Sequence, residues 1–149
     1  MTAISQLAIL LVEDNPDDIE LIRRAFRRAN VANPIHVVTD GEQALAYLSG
    51  EGEYADRSRH PLPVLVLLDL KLPRRSGHEV LGWIRAREGL RRLPVAILTS
   101  SRESADVNRA YDLGVNAYLQ KPVSFEALSE LVRTLNLFWL ILNEKPDIG

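Results

Sequence analysis

Apolar residues in this chain occur as short unbroken runs, separated by stretches in which they recur at helical spacing. Ala8 to Val12 reads AILLV. That run is too short for a helix and has the character of a strand covered on both faces, as in parallel sheets. EDNPDD follows at Glu13–Asp18 and reads as a helix start. Asp14 or Asn15 can cap it, Pro16 suits the first turn, and Asp17 and Asp18 complement the positive helix end. Ile19, Ile22, Phe26 and Ala29 then repeat every three or four residues, with arginines 23, 24, 27 and 28 on the other face. This predicts an amphipathic helix.

The strand–helix unit recurs along the chain. Ile35–Thr39 reads as a second strand and Gly41–Leu48 as a second helix, ending near Gly50. Residues 50–63 (GEGEYADRSRHPLP) are polar and rich in glycine and proline, so they form the longest loop. Val64–Leu68 (VLVLL) is the most apolar strand and belongs at the sheet centre. A helix over Gly77–Arg87 turns Val80, Leu81 and Ile84 inward. Val95–Leu98, Ser104–Leu113 and Ala117–Leu119 read as strand, helix and strand, and a last helix runs from about Ser124 into the 130s. Strands and helices in strict alternation predict an α/β fold, a five-stranded parallel sheet with helices on both faces. No internal repeat beyond that alternation and no low-complexity linker is present. The expectation is one domain over residues 1–149, with a core over about 7–135.

Composition narrows the function classes. Hydrophobic residues make up 46% and charged residues 26% of the 149, which suits a globular domain and excludes a disordered chain. There is no cysteine, so disulfides, thiolate metal sites and cysteine nucleophiles are excluded. The formal charge of −2 argues against a general nucleic-acid binder. No apolar run reaches the roughly 20 residues of a membrane span, and MTAISQ lacks the basic start of a signal peptide. The expected location is the cytoplasm.

In open parallel sheets, ligands bind at the carboxyl ends of the strands. The first strand here ends in Glu13 and Asp14, the third in Asp69, the fourth in Thr99 and Ser100, and the fifth in Lys121 and Pro122. Taken singly, these are a helix cap, a turn residue and ordinary surface groups. Together they describe chemistry. Three carboxylates in one cleft resist ionising together unless a cation compensates them. A hard divalent ion such as Mg²⁺, with oxygen ligands and retained waters, meets that need, and Lys121 adds a fixed positive charge. Asp69, at the end of the most buried strand, can act as a nucleophile toward phosphorus and form an acyl phosphate. Lys121 can then pair with a transferred oxygen and Thr99 can donate a hydrogen bond to another.

The pieces ILLVEDNPDD, VLLDLKLPRRSG, ILTSS and YLQKP, in that order from Ile9 to Pro122, closely resemble the receiver domain of two-component response regulators. The resemblance implies a flavodoxin-like, doubly wound sheet of strand order 2-1-3-4-5. It makes Asp69 the phosphoacceptor, served by a phosphohistidine on a sensor histidine kinase. Asp14 and Asp69 would bind Mg²⁺ directly, Glu13 largely through water, and Lys71 through its backbone carbonyl. Thr99 matches the switch hydroxyl, Lys121 the family's lysine, and Tyr118 its aromatic rotamer switch. Lys71 and Ser101 match positions that tune hydrolysis, and a cis peptide is implied before Pro122. EDNPDD, the long 50–63 loop and FWL at 138–140 further resemble the small single-domain regulators paired with bacterial phytochrome histidine kinases.

Only NEKPDIG follows Leu142, so no effector domain is expected and output would run through the receiver surface. LNLFWLIL (residues 135–142) is apolar on nearly every side, more than one helix face needs; it reads either as a helix end packed on its own core or, as the excess favours, as a homodimer interface in the 136–149 extension. Relatives in the resembled group dimerise through this region. His36, His60 and His78 fall on strand, loop and helix without ligand spacing, and none is read as catalytic. Trp83 and Trp139 read as packing residues, and arginines 85, 87, 91 and 92 as a solvated face. The reading is a phosphorylation-controlled binding module that hydrolyses its own phosphoryl group slowly and turns over no separate substrate. The alternative is a Mg²⁺-dependent aspartate-nucleophile phosphatase. Such enzymes carry a second Asp two residues after the nucleophile, where this chain has Lys71. A dinucleotide site is weaker, because EDNPDD replaces the glycine-rich turn and would repel a pyrophosphate.

Overall fold

The computed structural model describes residues 7–28, 33–121, 124, 126–127, 130–131 and 133. Strands β1 (Ile9–Val12), β2 (Ile35–Val38), β3 (Leu65–Leu68), β4 (Val95–Thr99) and β5 (Ala117–Gln120) alternate with helices α1 (Pro16–Arg28), α2 (Gly41–Ser49), α3 (Gly77–Ala86) and α4 (Ser104–Asp112). All strand pairs are parallel and their order is β2-β1-β3-β4-β5. Residues 126–127, 130–131 and 133 are helical, as expected for the last helix. The peptide before Pro122, the apolar run 135–142, Trp139 and the 136–149 extension lie outside the described residues.

Strand alternation sorts the core into two layers, because successive side chains point to opposite faces. Leu10, Val12, Val66, Leu68, Val95 and Ile97 pack with Ala44, Tyr47 and Leu48 of α2, Val80, Leu81 and Ile84 of α3, and Ala110 of α4. Ile9, Leu11, Leu65, Leu67, Ala96 and Leu98 pack with Ile22 and Phe26 of α1, and Leu131 lies against this second layer. Being covered on both faces is what allows strands of four or five consecutive apolar residues.

The helix ends follow local chemistry. Asn15, rather than Asp14, caps α1: its Oδ1 accepts from the backbone N–H of Asp17 at 2.9 Å and of Asp18 at 3.3 Å. Asp40 Oδ1 accepts from Gln43 N–H at 2.7 Å to cap α2, which ends at Gly50 in the left-handed conformation (φ +72°). Ser76 and Glu79 form a reciprocal capping box at α3.

The 50–63 loop is more ordered than its composition suggests. It contains a 3₁₀ turn over Gly52–Ala55. Arg57 donates to the carbonyls of Tyr47 at 2.7 Å and Leu48 at 3.0 Å, adding donors at the end of α2, where Tyr47 O also accepts the Gly50 N–H at 3.2 Å. Tyr54 and His60 then stack edge-on at 5.1 Å, with Tyr47 and His36 completing a ring cluster. His36 and His60, far apart in sequence, are thus neighbours with ring centroids 6.5 Å apart.

Arg85 corrects the expected solvated face. Its guanidinium donates to the carbonyls of Gly114 (2.8 Å), Arg91 (3.1 Å) and Leu93 (2.6 Å) and to Asn116 Oδ1 (2.9 Å). It therefore ties the end of α3 to the chain on both sides of β4, a requirement invisible in a local charge pattern. Trp83 packs against the core as expected, with Arg87 over its ring at 4.8 Å. Arg91 and Arg92 are exposed.

Candidate functional site

Backbone hydrogen bonds continue just past the strands and hold the site rigid. Glu13 N–H donates to Val38 O at 3.0 Å, Asp69 N–H to Val12 O at 3.1 Å, and Lys121 N–H to Thr99 O at 2.8 Å. Extending the alternation one residue beyond each strand puts Glu13 in line with Ile9 and Leu11, Asp69 with Leu65 and Leu67, and Lys121 with Ala117 and Leu119. These side chains share the layer that packs on α1. The same geometry that makes a dry core thus gathers three charged groups at one rim.

Lys121 lies at the centre of that rim. Its Nζ donates to Glu13, to Asp18 Oδ2 at 3.0 Å and to Asp69 Oδ2 at 3.1 Å. Glu13 is 1% exposed and Asp69 8%, so both depend on this ammonium for compensation. Burial alone would lower the lysine pKa, but hydrogen bonds to Glu13 and Asp18 and the charge of Asp69 outweigh it and hold the ammonium protonated. Burial pushes the Glu13 carboxyl above its ordinary value. The Lys121 hydrogen bond pulls the other way, and the Asp69 charge raises it further.

Glu13, Asp14 and Asp69 each offer a carboxylate oxygen within 4.8 Å of the others. This all-oxygen donor set, with Asp14 exposed to water, suits a hard divalent ion that keeps part of its hydration. Lys71 N–H approaches Asp69 Oδ1 at 3.4 Å, fixing the turn after β3. Gly77 allows that turn to close against α3: a Cβ there would lie 2.3 Å from the Asp69 carbonyl oxygen.

Thr99 is fully buried at the end of β4, and its Oγ1 faces Ser101 N–H at 3.4 Å. Tyr118 donates to Ser101 O at 3.2 Å. Ser101 Oγ donates to Asp106 Oδ2 at 2.5 Å, and His78 Nε2 lies 3.1 Å from Asp106 O. Thr99 and Tyr118 therefore meet through Ser101, which links them to α4 and α3. Asp18 is the site residue the sequence reading did not include. In the sequence it reads only as a complement to the helix dipole, although two acids after the cap exceed what capping requires. A groove of about 750 Å³ beside α2 and α3, lined by Asp40, Tyr54, Arg74, Trp83 and Arg87 among others, contains none of these strand-end groups.

An all-parallel sheet thus carries three carboxylates and a lysine at its carboxyl rim, and comparison with known proteins gives the family in which this arrangement falls. Residues 9–133 match the response regulator receiver domain, and this chain belongs to that family. A probable methanogenesis regulatory protein, FilR2 of Methanothrix harundinacea, is 47% identical over 93% of this chain and 86% of its own length. Response regulator Rcp1 of Synechocystis is 39% identical over 89% of this chain and 88% of its own. The Mn²⁺-bound structure of Rcp1 superimposes with a TM-score of 0.74 at 38% identity, covering 89% of this chain and 94% of that one. The phosphorylated cyanobacterial phytochrome response regulator RcpA gives a TM-score of 0.75 at 42% identity, covering 89% and 93%. The flavodoxin-like strand order implied by the resemblance is the one observed. Among the described residues, no helix is long and apolar enough to cross a membrane.

Proposed function

We propose that this chain is a stand-alone response regulator that accepts a phosphoryl group on Asp69 from a sensor histidine kinase. The observation that carries the reading is the buried Lys121 ammonium shared between Asp69, Glu13 and Asp18, beside an all-oxygen donor set. An Asp69 oxygen attacks the phosphorus of the donor phosphohistidine. The P–N bond breaks, the leaving imidazole nitrogen keeps the electron pair and takes a proton from solvent, and an acyl phosphate remains on Asp69. Mg²⁺, held by Asp14 and Asp69, by Glu13 through water and by the Lys71 carbonyl, would supply charge neutralisation on the transferred oxygens. Lys121 pairs with one of those oxygens and Thr99 hydrogen-bonds another. Slow hydrolysis of the acyl phosphate resets the site, and no separate substrate is turned over.

The switch reading follows from the shared Ser101 contact. Engagement of Thr99 would alter the Ser101 backbone that Tyr118 now bonds, biasing two arrangements of the α4–β5 face. The names of RcpA and other relatives support a phytochrome-type kinase as partner. The apolar sequence 135–142 supports a homodimer, and the charge of −2 a protein rather than a nucleic-acid target. Incubation with a small acyl phosphate and Mg²⁺, followed by intact-mass measurement, is expected to show one added phosphoryl group. It should be absent in Asp69→Asn and absent with chelator. An unmodified wild-type mass would sink the phosphoacceptor assignment.

A further inference from the structure

We propose that Asp18 is a positioning residue for the phosphoryl step, holding the Lys121 ammonium at a fixed angle to Asp69; this rests on Asp69 being the phosphoacceptor. An ammonium has three N–H donors, and here each has its own carboxylate: Glu13, Asp18 at 3.0 Å and Asp69 at 3.1 Å. The three acceptors are not equivalent. Glu13 and Asp69 belong to the oxygen cluster with Asp14, and Glu13 also accepts the Asn15 backbone N–H at 3.2 Å. Asp18 stands outside that cluster, and its side chain has no other ion-pair partner among the described residues. It is supplied by a different element, the first turn of α1, where the Asn15 cap fixes its backbone.

That placement has a mechanical consequence. With Glu13 and Asp69 alone, the ammonium would settle directly between the two buried carboxylates and cover the oxygen that must attack phosphorus. Asp18 draws it sideways. One N–H stays anchored on α1 while another is free to pass from the Asp69 carboxylate to an oxygen of the arriving phosphoryl group. No bond to Asp18 forms or breaks in the transfer, so its effect is confined to orientation.

The test follows phosphorylation of the full chain by acetyl phosphate in Mg²⁺, comparing wild type, Asp18→Ala and Asp18→Asn. Asp18→Ala is expected to lower the rate at saturating donor by about tenfold, less than the roughly 10²–10³ of losing a direct transition-state donor, because two carboxylates still hold the lysine. The half-saturating donor concentration and the Mg²⁺ affinity measured by calorimetry should each stay within about twofold, since Asp18 contacts neither in this scheme. Asp18→Asn keeps an oxygen acceptor for the Lys121 N–H and should recover most of the rate. A wild-type rate in Asp18→Ala would overturn the inference alone. So would a rate loss matched by weaker Mg²⁺ binding, or one that Asn does not rescue. A wild-type protein that takes no phosphoryl group would overturn the Asp69 assignment, and this inference with it.

Discussion

Replacing Lys121 by Met tests the electrostatics of the site most directly, because it removes the charge and keeps most of the unbranched apolar stem. Four carboxylates (Glu13, Asp14, Asp18 and Asp69) then face one another without an internal cation. Breaking a buried ion pair costs about 3–5 kcal/mol. The Lys121 side chain is 13% exposed and that of Asp18 30%, so solvent screening brings the expected loss below that range, to about 2–3 kcal/mol in chelator. Divalent metal should reverse much of it. The ammonium no longer repels the ion, so the variant should bind it more tightly than wild type, and at saturating ion a hundredfold gain in affinity closes the gap by about 2.7 kcal/mol. Urea unfolding followed by circular dichroism, in EDTA and in excess Mg²⁺, reads both quantities. The stability gap between wild type and variant should shrink to below about 1 kcal/mol in metal. A gap of the same size in both conditions would refute the reasoning. Acid provides a second check. Glu13 is already raised by burial, and losing its Lys121 hydrogen bond raises it further. A carboxyl whose folded pKa is raised costs stability when ionised, above that pKa, and the cost fades as pH falls through it toward the ordinary 4.5. The gap in EDTA should therefore narrow on acidification.

Arg85→Met removes four hydrogen bonds around β4 and, discounted for partial exposure, should cost about 2–3 kcal/mol. Thermal unfolding should show a Tm drop of roughly 5–10 °C, and a drop under about 2 °C would contradict the structural role of this side chain. Two glycines of α3 predict opposite signs. Gly77→Ala places a Cβ 2.3 Å from the Asp69 carbonyl oxygen and 2.7 Å from Leu70 Cα, so it should cost about 1–3 kcal/mol and slow phosphorylation by displacing Asp69. Gly82→Ala meets only Leu113 Cδ2 at 3.7 Å and should stabilise the helix by about 0.5–1 kcal/mol. His36 titrates below its ordinary value because it is partly buried, with His60 and Arg23 adding positive charge nearby. Its folded pKa is depressed, so the unfolded state binds the proton first as pH falls below 6.5, and stability falls with it. His36→Phe should lose that component between 6.5 and the lower folded pKa, and an unchanged pH–stability slope would refute it.

The backbone architecture was legible because it is written in one dimension. AILLV and VLVLL are long enough for strands and too short for helices, and the Ile19–Ile22–Phe26 spacing names its own buried face. The strand-end residues Glu13, Asp14, Asp69, Thr99 and Lys121 followed from the same alternation, since a parallel sheet brings all its carboxyl ends to one side. The ordered 50–63 loop was not legible. Polar composition reports only that a segment can be solvated, whereas its conformation depends on Arg57 reaching two carbonyls at the end of α2. His36 and His60 looked unrelated because one is on β2 and the other on that loop.

By itself, then, the sequence determined the element order, the two-sided burial of the strands and the set of groups at the sheet's carboxyl rim. Those properties depend on periodicity and local capping. Tertiary structure alone decided that Lys121 divides its three protons among Glu13, Asp18 and Asp69, that Arg85 is a tie rather than a surface charge, and that Ser101 joins Thr99 to Tyr118. Each is a contact between residues on different elements. Its existence depends on which strands are neighbours and how far a side chain reaches across them, and no local pattern along the chain records that distance.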